Sequence, residues 1–62
     1  MTQDKFIHYL GQPLFNFISS LNRADLLKMK KELSEDIKLH AKGSEILFKR
    51  NVEMQCLNYF LS

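Results

Sequence analysis

Between Arg23 and Lys42 the apolar positions Leu26, Met29, Leu33, Ile37 and Ala41 or His40 fall within a narrow arc of a 3.6-residue wheel. Lys28, Lys31, Glu32, Glu35 and Lys38 fill the rest of the circumference, the pattern of a surface helix with one buried stripe. Its start is also marked. Asn22 is a capping residue, Asp25 sits where a capping box places its second side chain, and Leu21 and Leu26 have the spacing of a hydrophobic staple. Beyond Asn22 the chain contains no proline and a single glycine, Gly43, so its back half reads as helix throughout.

Lys42-Gly43-Ser44-Glu45 supplies a stop and a restart: a glycine after a helix end, a serine cap, and a carboxylate at the positive end of the next helix dipole. The expectation is a helical hairpin with arms at about 23–42 and 45–61. The alternative is one helix of about 40 residues, roughly 60 Å long, that tolerates Gly43. Its seam would run through His40, Ser44, Leu47, Asn51, Met54, Asn58 and Leu61 and so place four polar residues where a coiled coil needs apolar ones. The hairpin is therefore favoured.

Ahead of the hairpin, Thr2 is placed to cap a first short helix with Asp4 in its first turn and Phe6, Ile7 and Leu10 on its apolar side. Gly11 suits a helix end and Pro13 the first turn of the next, which predicts two short helices at about 3–10 and 13–20. Ile7, Leu10, Leu14, Phe17 and Leu21 keep helical spacing across the break, so a single kinked helix also fits the pattern.

The last helix is apolar on two sides. Ile46, Leu47, Met54, Leu57 and Leu61 form one, and Phe48, Val52, Cys56, Tyr59 and Phe60 form a second. A helix of that kind is normally covered on both sides, and a chain of 62 residues has little material with which to do it. A domain of that size buries only about 60% of its unfolded surface. The fold class expected is therefore a single all-α domain over 1–62, a small hairpin with one or two short N-terminal helices, completed by oligomerisation. The second apolar side, Phe48, Val52, Cys56, Tyr59 and Phe60, is the expected partner-binding face. A homodimer is the simplest way to cover it.

Composition narrows the function classes. Cys56 is the lone cysteine, so an internal disulfide is impossible and a reducing, cytoplasmic setting is expected. Polar residues interrupt the N-terminal segment too often for a signal sequence, and no apolar run exceeds three residues, so no transmembrane segment is expected. The net charge of +2 permits nucleic acid or anionic surfaces without requiring them. The aromatic residues Phe6, Tyr9, Phe15, Phe17, Phe48, Tyr59 and Phe60 crowd both ends of the sequence, as if the first and last helices pack together.

Candidate chemistry is sparse. His8, His40 and Cys56 are the strong transition-metal ligand types, but their spacing forms no ligand pair, and no metal or cofactor is expected. His40, four residues after Asp36, reads as a helix-surface pair. Cys56 sits amid Val52, Tyr59 and Phe60, the setting of a packed thiol rather than a nucleophile. No acid–base pair or phosphate loop stands out, so no catalytic residue and no enzymatic activity is expected. The sequence reads as a non-enzymatic protein–protein interaction module, a small regulator, inhibitor or co-chaperone acting through an apolar helical face. The alternative is a small DNA-binding regulator using Lys28, Lys30 and Lys31 on the 23–42 helix, whose interspersed acids argue against it.

Overall fold

The computed structural model describes residues 2–40 and 42–62. The side chain of Thr2, expected to cap the first helix, and Ala41, a candidate for the apolar stripe, lie outside the described set. Among the described residues there are four helices and no strand: α1 (Thr2–Leu10), α2 (Gln12–Ser19), α3 (Arg23–Ile37) and α4 (Glu45–Leu61).

The N-terminal pattern resolves into two helices. Gly11 adopts φ 91°, a left-handed conformation that side chains beyond glycine disfavour. Its N–H donates to Ile7 O at 2.9 Å and closes α1, while its carbonyl accepts from Phe15 N–H at 3.1 Å and opens α2. Pro13 follows within the first turn, where no backbone donor is needed. At the far end of α2 the hydroxyls of Ser19 and Ser20 donate to the carbonyls of Asn16 and Phe17 at 2.9 and 2.8 Å. Such bonds compete with further helix and let the chain turn.

The expected start of α3 is present in atomic detail: Asn22 Oδ1 accepts from Asp25 N–H at 2.8 Å. Leu26 is buried and Leu21 packs on the same core, as the staple spacing implied. The end of α3 corrects the sequence expectation. The helix stops at Ile37, not near Lys42. Leu39 N–H and His40 N–H bond to the carbonyls of Asp36 and Ile37, three residues back, which tightens the chain into turns. Gly43, at φ 81°, completes the reversal. Ser44 Oγ then accepts from Leu47 N–H at 3.1 Å and starts α4 at the expected residue. The hairpin, not the single long helix, is the structure.

α1, α2 and α3 all pack against α4. The core consists of Phe6, Phe15, Ile18, Leu26, Leu33, Val52, Cys56 and Leu57, with Ile18, Cys56 and Leu57 sealed from solvent. This corrects a second expectation. Val52 (2% exposed) and Cys56 (0%) belong to the interior and are not available to a partner. The reason is that α1 and α2 fold back over the side of α4 that the hairpin alone leaves bare. Three long-range bonds fix the closure: Gln3 Nε2 donates to Tyr59 Oη, Lys5 Nζ to Gln55 Oε1, and Arg23 Nη1 to Leu61 O, each at 3.2 Å. The last of these satisfies a carbonyl in the final turn of α4, where cations also complement the helix dipole.

Replacing Asn22 by Ala removes the α3 cap and should lower stability by about 1 kcal/mol. For a domain this small that is a fall of roughly 4–8 °C in Tm. Thermal melts followed by circular dichroism read it directly; an unchanged Tm would mean that the cap contributes nothing.

Candidate interaction surfaces

Ring contacts join α1 and α2 to α4. Phe6, buried on α1, meets Tyr59 edge-on at 5.7 Å between centroids, and Tyr9, one turn along, meets Phe48 at 5.1 Å. Tyr59 also packs edge-on against Phe60, which in turn contacts Phe15 of α2 at 5.7 Å. The first and last helices are thus joined by rings, as their distribution in the sequence implied. Edge-to-face pairs of this kind add to stability beyond the area they bury.

The rings are not all enclosed. Tyr9 and Tyr59 are each 40% exposed and Phe48 is 49% exposed, while Phe60 is half-buried against the core. Of the five residues expected to form a partner face, the structure therefore leaves Phe48 and Tyr59 at the surface, joined there by Tyr9. Val52 and Cys56 lie beneath. The α1–α4 seam thus carries two half-wet aromatic contacts, Tyr9 with Phe48 and Tyr59 with Phe6, about three turns of α4 apart.

Arg50 and Glu53 had no place in the sequence reading. Glu53 is buried on α4, 5% exposed, and its Oε2 accepts from Arg50 Nη1 at 3.0 Å. Arg50 Nε lies 3.2 Å from Asp36 Oδ2, and His40 Nε2 lies 3.3 Å from the same oxygen. One guanidinium thus holds a buried carboxylate on its own helix and reaches across to the end of α3. The Arg50–Glu53 spacing of three residues was the available signal. Its importance comes from burial, which the spacing does not reveal. The expected His40–Asp36 pair is present as part of this strap.

On α3 the three lysines proposed for nucleic acid stand among carboxylates: Lys28 and Lys31 are exposed neighbours one turn apart, while Lys30 lies about 100° around the helix from Lys31. Lys28 lines a groove with Phe17, Leu21, Asp25, Met29 and Glu32, between α2 and α3. Lys30 and Lys31 lie with Leu27, Ser34, Glu35 and Lys38 on a strip made by α3 alone. The groove, with an apolar floor and a charged rim, was not anticipated either. Phe17, the ring in its lining, is 55% exposed.

Cys56 is free and buried. Burial, and secondarily the nearby Glu53 carboxylate, push its thiol from 9.0 up to about 11. It is neutral over the whole physiological range, the opposite of an activated nucleophile. No group of three or more His, Cys, Asp or Glu side chains among the described residues is arranged to hold a metal ion. Nor is any described helix long and apolar enough to cross a membrane. Comparison with protein-family models, with curated proteins and with solved structures finds no match to this chain.

Truncating Arg50 to Ala leaves the Glu53 carboxylate buried without its partner and should cost about 1–3 kcal/mol. Adding Glu53→Leu in the same chain should recover much of that loss, because a buried pair replaced by packed apolar atoms is often neutral. Chemical denaturation of the single and double variants decides; equal instability of both would show that Arg50 acts by some route other than Glu53.

Cys56 makes a pH prediction. Its folded pKa lies above the unfolded one, so the unfolded chain loses its proton first as pH rises. The contribution from the neutral thiol is complete below about pH 9 and is lost as pH climbs through about 11. Stability should decline over that window, and the decline should shrink in Cys56→Ala. Below it, alkylation of Cys56 should require opening of the fold and slow as stability rises.

Proposed function

We propose that this chain is a non-enzymatic protein–protein interaction module that binds through an apolar helical surface. The observation that carries the reading is that Tyr9, Phe48 and Tyr59, spaced along the α1–α4 seam, are left 40–49% exposed over a core that is already closed. Aromatic side chains favour interfaces because they bury a large area while losing few rotamers. These three have their geometry set in advance by ring contacts at 5.1 and 5.7 Å, so a partner would order little on binding. A role as a small regulator, inhibitor or co-chaperone is consistent with that surface.

The spread of the three lysines around α3, among its acids, gives the DNA-reading alternative less support. A recognition helix enters the major groove with one continuous face, and here carboxylates interrupt that face: Asp25 and Glu32 beside Lys28, and Glu35 beside Lys31.

A photo-activated crosslinking residue at Asn51, exposed and beside Phe48, tests the reading in cells that produce the protein. A discrete protein adduct should form, and Tyr9→Ala or Phe48→Ala should reduce it at least several-fold with helix content unchanged. An adduct insensitive to both substitutions, or none, overturns the proposal.

A further inference from the structure

Helix α3 carries charge of opposite sign on its two flanks. One flank presents Leu27, 48% exposed, among Lys30, Lys31 and Lys38, with Glu35 at the edge. The other presents the groove floored by Phe17, Leu21 and Met29 and rimmed by Asp25 and Glu32, with Lys28 as its one cation. At 3.6 residues per turn, Leu27 stands about 160° around the helix from both Asp25 and Met29, so the two surfaces face away from each other. An apolar knob ringed by lysines on one side thus matches an apolar groove rimmed by carboxylates on the other.

We infer that the occupant of the groove is a second copy of this chain, seated by Leu27, with Lys30 and Lys31 against Asp25 and Glu32. The inference rests on the interaction-module reading and names one partner and one geometry for it. Because knob and groove lie on opposite flanks, a single contact leaves one knob and one groove free. The contact is therefore head-to-tail, not two-fold, and propagates into short open chains or a ring. The groove is shallow and the rim charged, which makes the association weak and sensitive to ionic strength. A nucleic acid is a poorer fit to the lysine strip, since Leu27 and Glu35 stand where phosphates would lie.

The test is complementation between two surface variants. Leu27→Glu removes the knob and leaves the groove; Phe17→Glu removes the groove and leaves the knob. Both positions are about half-exposed, so both variants should keep wild-type helix content by circular dichroism. In sedimentation velocity across a concentration series, wild type should form species beyond the dimer and each variant alone should stay monomeric. Their equimolar mixture should form a dimer and nothing larger. Raising salt from 0.1 to 1 M, which shortens the screening length from about 10 to about 3 Å, should weaken the wild-type association several-fold.

A wild-type chain that stays monomeric throughout overturns the inference, as does a mixture that stays monomeric while wild type associates, or an association blind to salt. Duplex DNA that binds wild type but not a Lys30→Glu, Lys31→Glu double variant, and that displaces self-association, would also overturn it. None of these results bears on the Asn51 adduct, so failure here and failure of the broader reading are told apart.

Discussion

The constraint on which this structure depends is that α4 is apolar on two sides and must be covered on both. Val52, Glu53, Cys56 and Leu57 are all buried on it, and Leu47, Met54, Phe60 and Leu61 are partly so. A helix apolar over so much of its circumference is stable only when wrapped, and the rest of the chain is the wrapping. α3 covers one side through the hairpin. α1 and α2, each too short to be stable alone, cover another by folding back as a pair.

That division explains why the turns matter more than the helices they join. Gly11 lets two short helices lie against α4 where one straight helix would have touched it along a single line. The close of α3 at Ile37, five residues short of Lys42, leaves Lys38 to Ser44 free to reverse direction, and Leu39 stands 82% exposed in that reversal. The strap through Arg50 ties the last turn of α3 to α4. There it holds a carboxylate that the packing of α3 on α4 would otherwise strand in a medium of low dielectric.

What the sequence made readable followed from local rules. Asn22, Gly43 and Ser44 each announce a backbone event within a few residues, and all three occur where the pattern placed them. The end of α3 was not readable, because no residue between Lys38 and Lys42 breaks a helix by itself; the stop is imposed by the need to turn back onto α4. The placement of Val52 and Cys56 was missed for a related reason. A helical wheel shows that two sides are apolar but not which other helix arrives to cover them, and the reach of α1 and α2 is a tertiary fact. Glu53 carries no local signal of burial; only the fold puts it in the interior. Along the α1–α4 seam, Phe48 and Tyr59 were recognisable from α4 alone, whereas Tyr9 joins them only because α1 lies alongside.

The folding problem and the surface are linked through the same shortage of material. Covering α4 consumes the inward stripe of every other helix, so what remains outward is free of packing constraints. On α3 that freedom has a visible result. Helix formation is indifferent to whether lysines and carboxylates are mixed or sorted between flanks, apart from pairs three or four residues apart that contribute a few tenths of a kcal/mol each. Lys28–Glu32 and Lys31–Glu35 are such pairs, both in the less favourable order. Local helix stability accounts for Asp25 in the first turn and Lys38 at the C-cap, but it gives no reason for Lys30 and Lys31 to stand around Leu27 while Glu32 stands beside Met29. Nor does core packing, which neither group enters. A sorting that the fold does not require is most simply a property of what the helix meets.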